Sequence, residues 1–235
     1  LATPVKEDVL STNYLIDEIL PARRVHLLGG PSGVGKTRWL FDTLLKWEAG
    51  KPIFGLASHP VPWVYVPADR DLESVEETLA TMGIKKGAID IIPAFGRHAK
   101  TWSQITTAAA ERGAELVVVE ALAGFCDAPG LHHQVRAFLN SVYTQIYPTI
   151  NAPRGMTIMG VMETPKMKPH ERYENPRQRI SGVATWAHST ETIMMLEPAD
   201  PKHPKKPERI LHICPRNARA QELSGKMDLT GHVIF

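Results

Sequence analysis

Cysteine is scarce in this chain. Cys126 and Cys214 are the only two in 235 residues, too few for a disulfide framework, and neither has partners at metal-ligand spacing. A disulfide-stapled fold and a structural zinc site are therefore excluded, and a reducing, cytosolic compartment is expected. Long apolar runs are absent too. Nothing approaches the ~20 residues that span a bilayer, and no leader pattern opens the chain. No membrane partner is expected, although a start at Leu1 points to at least a methionine upstream. Charge of one sign is also in short supply: 27 Lys and Arg face 25 Asp and Glu, a net +2. That excludes a uniformly basic surface, so any basic patch must be local.

What is present has an ordinary globular composition, 43% hydrophobic and 22% charged, enough for a substantial core. With no internal repeat and no linker, residues 21–235 read as one domain. Residues 1–20 read as a lead-in with a short apolar face (Leu10, Leu15, Ile16, Ile19, Leu20), capped by Ser11 or Thr12, which serves as a subunit-contact segment. Strands are expected at 25–28, 61–66, 89–92, 116–119, 156–162, 192–196 and 210–213, the last two forming a hairpin with a lysine- and proline-rich tip. Helices are expected at 37–47, 72–82, 102–112 and over 135–146. Strands alternating with helices predict an α/β fold, a mostly parallel sheet with helices on both faces. Trp39 and Trp102, at helical positions, are expected in the core.

The most specific stretch is Gly30-Pro31-Ser32-Gly33-Val34-Gly35-Lys36-Thr37. A glycine, four free positions and Gly-Lys-Thr make the phosphate-binding loop pattern, here between a strand and a helix. The glycines let successive N–H groups turn inward on an anion, and the next helix, with Arg38 in its first turn, adds its positive end. Lys36 would reach the β- and γ-phosphates, and Thr37 would hold Mg²⁺.

In open α/β sheets the ligand lies beyond the carboxyl ends of the strands. Glu120 ends one strand, either beside the metal or as a solvated carboxylate. Asp69 follows another and would serve as general base toward water, with Asp71 and Glu73 as competitors and a helix N-terminal acid as the plain alternative. Glu163 and Thr164 follow a third, placed to sense the terminal phosphate. Next comes a basic loop, 165–180, in which Lys166, Lys168, Arg172, Arg177 and Arg179 outnumber Glu171 and Glu174. It is either a grip on a phosphate backbone or a solvated loop. Arg216 and Arg219 follow the last strand, where an arginine could act on a neighbouring copy's nucleotide. Lys202, Lys205 and Lys206 at the hairpin tip fit solvation or edge protection.

Taken in order, these features resemble the RecA-like ATPases, in the hexameric branch that includes RepA-type plasmid replicative helicases and the DnaB-type motor. The resemblance runs from Leu15 to Gln221. Tyr14–Pro21 with Val25–Thr37 is similar to the approach to the family's Walker A loop. Val64–Asp69 resembles the strand bearing its catalytic acid, and Leu116–Leu122 its Walker B strand. Ile158–Lys166 resembles its sensor strand, Ile180–Gly182 and Thr185–Leu196 the segment beyond the DNA loop, and Ile213–Asn217 its finger hairpin. The resemblance implies an ATP- and Mg²⁺-dependent homo-oligomer, a hexamer, with MgATP between subunits and single-stranded nucleic acid on the 165–180 loop. Lys36, Asp69 and Glu120 would be catalytic, joined by Arg216 in trans. Four positions depart from the family pattern: Asp69 for Glu, Glu120 for Asp, Glu163 for His or Gln, and Cys214 for Lys. They leave nucleotide binding intact and imply slow hydrolysis. The implied function is a small replicative helicase; the alternative is an ATP-regulated recombination mediator or helicase loader. A small-molecule phosphotransferase would need an acceptor lid the chain does not show.

Overall fold

A computed structural model describes residues 14–146, 155–164, 180, 184–217, 219–228 and 233–234. The five basic residues expected to grip nucleic acid, Lys166, Lys168, Arg172, Arg177 and Arg179, lie outside the described residues, as do residues 1–13.

Along the chain the elements are β1 (Tyr14–Ile16), β2 (Leu20–Pro21), β3 (Val25–Gly30), α1 (Lys36–Glu48), β4 (Trp63–Pro67), α2 (Leu72–Thr81), α3 (Trp102–Glu111) and β5 (Leu116–Glu120). They continue with α4 (His132–Ile146), β6 (Thr157–Glu163), α5 (Ala184–His188), β7 (Thr192–Pro198), β8 (Glu208–Pro215), β9 (Gln221–Met227) and β10 (Val233–Ile234). Eight strands form the main sheet in the order β10-β9-β8-β7-β3-β6-β5-β4. From β7 to β4 neighbours run parallel; β8, β9 and β10 extend the sheet antiparallel.

The central strands are mostly apolar because both faces are covered, with His26 of β3 a buried exception and Glu120 a charged strand end. Side chains alternate across the sheet, so Leu27, Val117, Val119 and Ile158 pack with Ile105 of α3 and Val135 and Leu139 of α4. Leu28, Val118, Met159 and Val161 face the other way, onto Trp39 and Phe41 of α1 and Val75 and Leu79 of α2. Trp39 and Trp102 are both in the core, as expected. Among the described residues, no helix is long and apolar enough to cross a membrane.

Three local expectations change. Residues 14–21 form a two-stranded antiparallel pair rather than an apolar helical face, and Leu15, Ile16, Ile19 and Leu20 are buried in the chain's own core. Residues 89–92 make only an isolated parallel bridge, Ile91 to Tyr65 at the sheet edge, in which Tyr65 N–H donates to Asp90 O and Ile92 N–H to Tyr65 O. The expected hairpin is present but longer, with Thr192 paired to Pro215 and Pro198 to Arg209, and β9 adds a further strand. In β9 exposed positions alternate with half-buried ones, which gives weak apolar periodicity.

Candidate functional site

β3 delivers Gly30 to the carboxyl end of the sheet, and the chain turns through Pro31–Gly35 into α1. Gly35 has φ 98°, a conformation that favours glycine, and a Cβ there would lie 2.5 Å from Met227 Sδ, at the flexible end of that side chain. The first turn of α1 carries no acid, leaving its positive end for an anion. Lys36 is buried and donates to the carbonyls of Gly30 (2.9 Å) and Pro31 (3.1 Å). Burial pushes its ammonium below the ordinary lysine range; Glu163, Glu120 and Asp69 pull it back.

β5 brings Glu120 alongside. Its Oε1 accepts from Thr37 Oγ1 at 2.7 Å and from Arg70 Nη2 at 2.9 Å, while Oε2 accepts from the Tyr65 hydroxyl. Burial, and then the neighbouring Glu120, raise the Tyr65 phenol well above its ordinary value, so it stays a donor. A buried carboxylate held by a cation and two hydroxyls is a fixed charge, not a solvated strand end.

β4 ends at Pro67, and Asp69 two residues later lines the same cavity, with Arg70 Nε at 3.5 Å. Asp71 instead caps α2, accepting from the Ser74 N–H at 2.8 Å, which holds its carboxyl below the usual range. Glu73 lies in the first turn of α2. Of the three candidate bases, only Asp69 reaches the cavity.

The cavity has a volume of about 740 Å³ and runs from Ser32–Arg38 past Asp69, Glu120 and Glu163 to Arg209 and Met227. That is the usual size of a small-molecule or cofactor site. Glu163 ends β6, in register with Gly30. Thr164 N–H donates to Gly30 O at 3.1 Å, and its buried hydroxyl has no partner. Arg216 is elsewhere. It follows Pro215, which pairs with the first residue of β7, at the end of the sheet away from the phosphate loop. There its side chain donates to His188 O. It cannot belong to its own chain's site.

Four residues of this site were not anticipated: Tyr65, Arg70, Arg209 and Met227. Arg209 donates from Nε to Val34 O at 3.0 Å, tethering the phosphate loop to β8, while Met227 packs on Gly35. Lys205, expected to be solvated, lines the cavity as well. The signal for Arg70 was its place beside Asp69. Arg209 was hidden in a charged hairpin tip.

Thr37 and Glu120 offer hard oxygen donors 2.7 Å apart, which suits Mg²⁺. Among the described residues no cluster of three or more His, Cys, Asp or Glu could hold a metal alone. When bound, Mg²⁺ would neutralise charge on the β- and γ-phosphates. Around it Lys36 would bind phosphate oxygens, Glu120 would orient Thr37, and Asp69 would take the proton of the attacking water.

No curated protein sequence matches this chain at a significant level. A solved structure with the same architecture is a KaiC-like protein of the hyperthermophilic archaeon Pyrococcus horikoshii OT3. It is 15% identical with a TM-score of 0.58, over 94% of this chain and 93% of that one. At that identity the likeness concerns the fold, which is that of the RecA-like P-loop ATPases. The family model described as AAA domain, AAA_25, matches residues 7–167, well over half the chain and the whole phosphate loop. The chain belongs to that AAA domain family of P-loop ATPases.

Proposed function

We propose that this chain is a homo-oligomeric, ATP-hydrolysing motor acting on single-stranded nucleic acid, most concretely a plasmid- or phage-type replicative DNA helicase. The observation that carries it is Asp69 on the wall of the cavity that Lys36, Thr37 and Glu120 also line, on the chain segment after β4. A general base beside a phosphate cradle suits repeated hydrolysis rather than mere retention of nucleotide. The far position of Arg216 leaves this arginine a role only in a neighbouring copy's site, which favours a site shared between subunits. The basic segment 165–180 is the proposed nucleic-acid grip.

One observation favours a second function, an ATP-regulated mediator or loader without strand separation. Arg70 engages both oxygens that would hold a metal, and Glu163 lines the same cavity, a combination that would slow turnover.

The deciding experiment measures ATP hydrolysis with and without a single-stranded oligonucleotide, alongside displacement of a labelled strand from a forked duplex. A motor shows severalfold stimulation and ATP-dependent displacement. ATP-dependent strand binding without displacement favours the mediator, and unstimulated hydrolysis together with no ATP-dependent strand binding sinks both. Arg216→Ala should leave nucleotide binding intact and remove turnover in the assembly; unchanged turnover ends its role in trans.

A further inference from the structure

Arg70 stands at a position the family resemblance leaves without a role. It lies between Asp69 and the cap of α2, and its guanidinium contacts three residues, Glu120 of β5, Thr37 of α1 and its neighbour Asp69. Nη2 is 2.9 Å from Glu120 Oε1 and 3.1 Å from Thr37 Oγ1; Nε is 3.5 Å from Asp69 Oδ1. The two oxygens contacted by Nη2 are the pair that would serve a divalent cation. They are themselves only 2.7 Å apart, bridged by the threonine hydroxyl hydrogen. A guanidinium keeps its charge at any physiological pH and carries N–H groups in a rigid fork, so it can satisfy both oxygens at once. Two positive groups on one pair of oxygens repel, so metal and guanidinium must compete for them.

The surroundings allow the competition to be resolved by movement. The Arg70 side chain is 27% exposed and borders the cavity, while Glu120 is 5% exposed and held on its other oxygen by Tyr65. The arginine is therefore the mobile partner and the carboxylate the fixed one. Asp69, 43% exposed on the cavity wall, is a second anchor that Arg70 already touches through Nε. A pivot about Asp69 would release Thr37 and Glu120 without stranding the charge, and would carry it toward bound phosphates.

We propose that Arg70 is a built-in stand-in for the divalent cation. It holds Thr37 and Glu120 in place when no metal is bound and yields them when a metal–nucleotide complex enters. With metal-free nucleotide it supplies positive charge to the phosphates. The proposal rests on the reading of this cavity as an ATP site. Its signature is nucleotide binding that depends only weakly on Mg²⁺ in the native chain and strongly once Arg70 is replaced. A residue that merely tethered β4 to β5 would instead lower both affinities alike.

The test is calorimetric titration of the full chain with ATP, in excess Mg²⁺ and in EDTA. It compares the native protein with Arg70→Ala, Arg70→Gln, which keeps donors without charge, and Arg70→Lys, which keeps charge without the fork. Circular dichroism checks folding. Arg70→Ala and Arg70→Gln should widen the ratio of the EDTA and Mg²⁺ dissociation constants by about tenfold or more, the scale of one charge-assisted hydrogen bond. Arg70→Lys should keep the ratio nearer the native one. If Arg70→Ala does not fold, the Gln and Lys variants carry the comparison. Equal ratios in native and neutral variants overturn the proposal and leave Arg70 a structural tether. Failure of the native chain to bind ATP in either condition overturns the nucleotide reading itself, a separate and recognisable outcome.

Discussion

A single carboxylate, Glu120, gathers the site, and its quality depends on the groups that hold it. Tyr65 contributes one hydroxyl from the interior of β4, wholly buried and hydrogen-bonded to Glu120 Oε2. Tyr65→Phe leaves the ring in place, edge-on to Phe41, and removes only that donor. Stability should fall by about 1.5–3 kcal/mol, the usual worth of a hydrogen bond to a charged group, as read from the urea midpoint at unchanged slope. A neutral substitution would mean the hydroxyl does not anchor Glu120. Residues of this kind mark where the sequence stops being readable. The phosphate loop is legible because backbone geometry dictates its glycines: Gly35→Ala should abolish ATP binding while the chain still folds. Glu120 and Asp69 are legible as strand-end acids. Tyr65 and Arg70 are not, because their roles exist only once β4, β5 and the phosphate loop meet. In sequence one is a strand aromatic and the other an unremarkable surface charge.

At the scale of elements, the start of α2 separates two roles that share one chemistry. An aspartate that caps a helix and one that activates water both need an exposed carboxylate beside free donors, so Asp69 and Asp71 are indistinguishable in sequence. In the fold, Asp71 accepts from Ser74 N–H and Asp69 borders the cavity. Asp71→Ala should lower stability modestly through loss of the cap and leave turnover per folded molecule nearly intact. Asp69→Ala should do the reverse, removing steady-state phosphate release while barely shifting the unfolding midpoint. Turnover lost in Asp71→Ala alone would reverse the assignment. The strands from β3 to β7 were readable because burial on both faces leaves uninterrupted apolar runs. β9 was not, since an edge-ward strand packed on one side alternates polar and half-buried residues. The pair formed by residues 14–21 also escaped notice, because helix and strand periodicities coincide over so few residues.

For the whole molecule, the strand that carries the phosphate loop also carries a buried, pH-sensitive group. His26 lies in β3, between β6 and β7, and is completely buried. Its Nε2–H donates to Pro21 O at 2.9 Å, and Nδ1 has no partner. Burial pushes its pKa down to about 4 against the hydrogen bond to Pro21, which raises it, with Arg24 lowering it further. The unfolded chain takes up this proton near pH 6.5 and the folded chain near pH 4, so between those values the unfolded state binds more protons. Stability from this group is therefore complete above about pH 6.5 and is lost as pH falls toward 4, by about 3 kcal/mol at the lower end. Because β3 is the shared wall of both cores, the loss should appear as one cooperative unfolding transition, not as local opening of the site. His26→Gln keeps an amide donor within reach of the Pro21 carbonyl and cannot titrate. It should start from a lower stability at pH 7 yet lose less on acidification. Urea unfolding of both proteins at pH 7 and pH 4 isolates the difference, since every other titrating group contributes equally to each curve. Parallel curves would show that His26 is protonated in the folded protein, which would require an acceptor for Nδ1 that the packing around β3 does not supply.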